Sequence, residues 1–236
     1  QEGFECTSGN MAIEGNYWAL IIGINKYSVL DKEKQLEAAR KDAEAVSRLL
    51  MERYGFSKDR VVELYDEAAS RKGILRAFSS LKRRLTNKDS LFIYYAGHGD
   101  YLYLGKLKED VVEMGYWIPS DAELDDPTSY IFNSEVRDHL ANIPARHIYA
   151  VIDSAFSGRL MGRLHQVGLS LRLSKLAIKE LYQSPSRWVL VSGKLYPAPD
   201  VMDKSKLGHS SFAWHFMKIL EDNAAPYLPA QDIAER

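Results

Sequence analysis

The sequence predicts an α/β domain, a mostly parallel central sheet with helices on both of its faces. Three observations carry that expectation. Apolar runs too continuous for a half-exposed strand recur at 17–24 (YWALIIGI), 91–95 (LFIYY) and 149–152 (YAVI), as strands buried on both faces require. Between the first two lie segments whose apolar residues return every three or four positions, the period of one helix face. Two of the runs then end in short loops of small and polar residues, Ala96-Gly97-His98-Gly99 and Asp153-Ser154-Ala155-Phe156-Ser157-Gly158. Open α/β sheets keep their chemistry at the carboxyl ends of such strands.

Residues 1–16 are aperiodic, with Gly3, Gly9 and Gly15, and read as a tail or lead-in; 17–236 read as one domain. After the first strand, Leu36, Ala39, Ala43, Val46 and Leu50 mark a helix over 34–53, stopped by Gly55. Residues 60–65 (RVVELY) read as a second strand. Ser70 is placed to cap a helix whose apolar face is Ile74, Phe78, Leu81 and Leu85. The third strand, 91–95, completes an alternation that argues for a parallel sheet. From 100 to 130 the pattern loosens, and 101–104 and 116–119 read as two short strands of a hairpin-like excursion. Ser134 reads as an N-cap with an incomplete capping box. The fourth main strand is expected at 146–152 and a fifth at 187–191. Ser210 opens a helix with Phe212, Phe216, Ile219 and Leu220 on its apolar side. Residues 230–236 look like the start of another helix, so the chain is expected to be a fragment of a longer protein.

Composition narrows the function classes. At 46% hydrophobic and 27% charged residues the chain is an ordinary globular protein with enough length for a large core. A formal net charge of −1 gives no general attraction to nucleic acid or acidic membranes. No apolar run approaches the ~18 residues of a membrane span, and no signal-peptide pattern is visible. Cys6 is the only cysteine, which excludes an internal disulfide. A cytoplasmic location is the expectation. Glycine-rich phosphate loops of the dinucleotide or Walker type are missing, as is the Gly-x-Ser-x-Gly elbow of serine hydrolases. His139, His147, His165, His209 and His215 show no zinc-ligand spacing; His209 reads as part of a helix-opening Gly-His-Ser.

The two loops together resemble those of the caspase-like cysteine peptidases, the group of caspases, metacaspases and bacterial relatives. Tyr95-Ala96-Gly97-His98-Gly99 is similar to the catalytic-histidine loop, and 153–158 to the Asp-Ser-Cys-x-Ser-Gly loop of metacaspase-type members. Ala155 stands where the nucleophilic cysteine would be. Residues 19–25 resemble the family's first strand, and 38–43 (AARKDA) its segment ending in Asn-Asp-Ala. Val191-Ser192-Gly193 and 208–212 (GHSSF) resemble its late strand and final helix. The interval from His98 to Ala155 is similar to the histidine-to-cysteine spacing of the caspase group.

The resemblance implies a caspase-like fold and a Cys–His dyad. With a cysteine at position 155, a thiolate would attack the scissile carbonyl and His98 would manage the proton of the leaving amine. Backbone N–H groups of Gly99 and residue 155 are the expected oxyanion donors. The resemblance also implies that Asp153 and Asp42 form an acidic S1 pocket, which favours arginine by bidentate pairing and lysine second. From the residues alone, Asp42 could equally be a helix-surface charge and Asp153 a loop cap.

The expected function is therefore a cysteine endopeptidase cleaving after Arg, inactivated here by Ala155, through either an engineered or a natural change. The alternative is a naturally inactive caspase-like domain that binds proteins as a scaffold. The expected partners are a protein or peptide substrate with a basic P1 residue, and a regulatory or recruiting protein. Residues 159–186 read either as a basic helix or as a connection open to self-processing. Asp121, Glu123, Asp125 and Asp126 read as a solvated acidic loop, and although some metacaspases are calcium-activated, no cofactor is expected.

Overall fold

The computed structural model describes residues 14–104, 112–123, 125–154, 182–192, 208–225 and 228–235. Its framework is a sheet of five parallel strands. In chain order these are β1 (Tyr17–Gly23), β2 (Val61–Tyr65), β3 (Ser90–Ala96), β7 (His147–Asp153) and β8 (Ser186–Val191). Their spatial order is β2-β1-β3-β7-β8. A second, three-stranded sheet holds β4 (Gly99–Leu104), β5 (Val112–Trp117) and β6 (Ile131–Phe132); its β4–β5 pair is the hairpin-like excursion expected after the third strand, with its second strand at 112–117 instead of 116–119 and β6 added beyond it.

Side chains alternate across the central strands and divide the core in two. Trp18, Leu20 and Ile22 of β1, Leu91, Ile93 and Tyr95 of β3, and Ile148, Ala150 and Ile152 of β7 share one cluster. Helix α2 (Arg71–Arg84) covers it with Ile74, Phe78 and Leu81, and α3 (Asn133–Asn142) with Val136 and Leu140. On the other face Ala19, Ile21, Phe92, Tyr94, Ala96 and Val151 meet α1 (Ala39–Arg53) and α4 (Ser211–Asp222). A last helix, α5 (Ala230–Glu235), adds Ile233 to this second cluster. Because β1 and β3 are covered on both faces, each reads as an unbroken apolar run.

The expected boundaries need three corrections. The first helix begins at Ala39, because 32–34 form a separate 3-10 turn and Gln35 hydrogen-bonds Tyr27 and Leu30 across the loop. Helix α3 starts at Asn133, so Ser134 lies inside it and no side chain caps it. Residues 14–16 belong to the domain, since Asn16 donates to the Asp89 carboxylate and its carbonyl accepts from Ser90 N–H (2.9 Å). By contrast, Ser70 and Ser210 cap α2 and α4 as expected, accepting from Gly73 and Ala213 N–H groups at 3.1 and 3.0 Å. Gly55 follows α1 with φ 71°, a left-handed stop suited to glycine. Cys6, residues 155–181 and the loop through 207 lie outside the described residues. Among the described residues no helix is long and apolar enough to cross a membrane.

Candidate active site

The chain leaves β1 for β2 on one side and then crosses to β3 on the other, so the sheet reverses its order between β1 and β3. The crevice at the carboxyl ends of these strands is where open α/β sheets bind ligands. Gly23 pairs with Ala96, and Ala96 with Asp153. The loops after β1, β3 and β7 therefore emerge side by side.

His98 is fixed from several directions. Its backbone N–H donates to the Tyr27 hydroxyl (2.7 Å), its carbonyl accepts from the Tyr95 hydroxyl (2.7 Å), and its ring lies 4.8 Å from the Tyr27 ring. Its Nε2 lies 2.7 Å from the Lys34 carbonyl oxygen. A carbonyl only accepts, so Nε2 carries the proton, and in the neutral ring Nδ1 is the basic nitrogen. The Gln35 bonds to Tyr27 and Leu30 hold the loop that presents this carbonyl. Gly97 is required by space: a Cβ there would sit 2.9 Å from the Tyr27 hydroxyl and 3.0 Å from the Tyr95 hydroxyl. Gly99 opens β4 opposite Trp117, and the ladder bond beside it runs from Ile118 N–H to the His98 carbonyl. Gly99 thus belongs to a non-hydrogen-bonded pair, and its own N–H lies outside the ladder.

The second group is acidic. Asp42, in the first turn of α1, has no exposed surface, which rules out the helix-surface alternative. One Asp42 carboxylate oxygen meets His209 Nδ1 and the other accepts Ser210 N–H at 3.0 Å. Ser210 Oγ also donates to Asp153 at 2.6 Å while accepting from Ala213 N–H. A single serine at the start of α4 thereby ties Asp42, Asp153 and the helix together. Burial pushes the Asp42 carboxyl up to about 6; the His209 and Ser210 hydrogen bonds oppose this, and the Asp153 charge adds to it. Tyr94 is fully buried on the same sheet face, and its hydroxyl has no hydrogen-bond partner among the described residues. Burial, then the charges of Asp153 and Asp42, raise it well above its ordinary value.

Of the predicted site residues, the sheet gathers His98, Gly99 and Asp153 at adjacent strand ends, and Ser210 joins Asp42 to Asp153. Ala155 follows Ser154 and lies outside the described residues. Sequence reasoning missed the Lys34 carbonyl, Tyr27, Tyr94 and the contact of His209 with Asp42. Only Gly-His-Ser before an apolar helix gave any signal of the last. The remaining described histidines are structural: His139 stacks on Phe78, His147 binds the Tyr182 carbonyl and the Ser186 hydroxyl, and His215 binds the Ser211 carbonyl. In the acidic loop Asp121 accepts Arg71 N–H (2.7 Å) and Asp126 accepts Thr128 N–H (2.9 Å). Among the described residues no three metal-ligating side chains converge.

The fold thus sets a histidine loop and an acidic pair at the carboxyl end of a five-stranded parallel sheet. The caspase-domain peptidase family matches residues 16–225, and the chain belongs to that family. Among its relatives, metacaspase-1 of Eremothecium gossypii is 28% identical over 165 residues, 64% of this chain and 35% of the relative. Metacaspase-6 of Arabidopsis thaliana is 30% identical over 167 residues, 66% of this chain and 42% of that one. The chain thus spans 35% and 42% of the length of these two relatives. A crystal structure of a Geobacter sulfurreducens protein shares the fold, with a TM-score of 0.54 at 17% identity over 88% of this chain and 82% of the other.

Proposed function

We propose that this domain is a metacaspase-type cysteine endopeptidase that cleaves after arginine, with lysine second, and that Ala155 silences it in the present chain. The observation that carries the specificity is the joining of two carboxylates, Asp42 and Asp153, by Ser210 beside the histidine loop. A buried pair of this kind favours a cation, and a guanidinium more than an ammonium because it pairs bidentately.

In the working site a thiolate at position 155 attacks the scissile carbonyl carbon, and the oxyanion is met by the N–H groups of Gly99 and residue 155. The His98 imidazolium then gives its Nδ1 proton to the leaving amine, keeping its Nε2–H on Lys34. Water hydrolyses the resulting thioester. Alanine has no sulfur, so the first step cannot occur in this chain. A cytoplasmic setting fits a chain with one cysteine.

The test is to change Ala155→Cys and assay fluorogenic peptides ending in Arg, Lys and Asp. Turnover in the order Arg, Lys, Asp supports the reading. Preference for Asp refutes the acidic pocket, and silence on all three with calcium and without it favours the scaffold alternative.

A further inference from the structure

The acidic pocket proposed above raises the question of which atoms a P1 cation meets, and this inference rests on that reading. Asp42 has no exposed surface, and both its oxygens are occupied, by His209 Nδ1 and by Ser210 N–H. The group with surface to offer is His209, whose side chain keeps 14% of its exposure. A buried carboxylate against Nδ1 holds the proton on that nitrogen and leaves Nε2 of the neutral ring as a lone-pair acceptor. His209 Nε2 forms no hydrogen bond among the described residues and is not among their enclosed, unpartnered polar atoms. The arrangement is a carboxylate–imidazole pair in which the carboxylate acts through the ring.

We propose that His209 is a specificity-determining residue of the P1 pocket. Its Nε2 accepts a hydrogen bond from the P1 guanidinium, Asp42 fixes its tautomer, and Asp153 supplies charge. No bond is made or broken in this step.

Binding needs no nucleophile, so the chain with Ala155 serves as it stands. The probe is benzamidine, titrated calorimetrically at pH 7.5. His209→Asn keeps an N–H at the position of Nδ1 for Asp42 but has no Nε2. The parent should bind at pH 7.5, and His209→Asn should bind about tenfold more weakly, the worth of one charge-assisted hydrogen bond. Affinity within twofold of the parent, or tighter, overturns the proposal while leaving the pocket intact. Loss of binding in Asp153→Asn but not in His209→Asn overturns it in the same way. A parent that binds no benzamidine refutes the acidic pocket itself, and this inference with it. Should the variant fold poorly, the parent alone decides: saturating benzamidine must shift the His209 Nε2 resonance, and an unmoved resonance overturns the proposal.

Discussion

Replacing Ser210 with alanine disturbs three interactions at once. Ser210 is 7% exposed. Its Oγ caps α4 through Ala213 N–H at 3.0 Å and donates to the Asp153 carboxylate at 2.6 Å, and its backbone N–H, bound to Asp42, depends on both for its position. Loss of a serine N-cap costs about 1 kcal/mol. Loss of a hydrogen bond to a charged group costs roughly 1.5–3 kcal/mol. The expected destabilisation is about 2–4 kcal/mol, which for a chain of this size lowers the melting temperature by roughly 5–15 °C. Equilibrium urea unfolding followed by circular dichroism measures it, with Ser210→Thr as the variant that keeps the hydroxyl and should recover most of the loss. A Ser210→Ala chain within 0.5 kcal/mol (roughly the scatter for a surface substitution) of the parent would refute the claim that this serine joins the two carboxylates to the helix.

Other outcomes follow from the same geometry. Tyr27→Phe leaves the His98 N–H without its 2.7 Å acceptor; a loss of about 1–3 kcal/mol is expected on urea unfolding, with a lower kcat in an Ala155→Cys background. Gly23→Ala would put a Cβ 2.6 Å from the Ala43 Cβ and 2.9 Å from the Ala39 carbonyl, so α1 must move away from β1 at a cost of about 1–3 kcal/mol, read from the unfolding midpoint. Asp42 holds its proton more tightly folded, at about 6, than its ordinary 3.8. Its contribution to stability is therefore present below pH 4 and lost as the pH rises to 6. Asp42→Asn should flatten that part of the stability–pH curve, and matching curves for the two chains between pH 4 and 6 would contradict the assignment.

Much of this architecture is legible in the sequence because burial on both faces leaves a plain mark. Strands β1, β3 and β7 carry few polar residues, and α1 and α2 repeat their apolar residues at helical spacing. The start of α3 is hidden because its first residue is a buried asparagine and no side chain caps it. His98 and Asp153 can be located because the first follows a buried strand and the second ends one. The Lys34 carbonyl cannot, since every residue has a carbonyl and only the folded loop aims this one at His98. The contact of His209 with Asp42 joins residues 167 positions apart, a separation at which spacing carries no information. Ser210 reads as a cap from sequence, but its second role toward Asp153 depends on α4 docking against β7.

The most direct measurement is the intact mass of the Ala155→Cys chain after treatment with a peptidyl-arginine or a peptidyl-aspartate chloromethyl ketone. Covalent capture needs the nucleophile, the histidine and the pocket, but not repeated turnover. The account predicts one adduct from the arginine reagent, mapped by fragmentation to position 155, and its loss in Asp153→Asn. An adduct from the aspartate reagent instead, or an arginine adduct that survives Asp153→Asn, would contradict the acidic pocket on which the account rests.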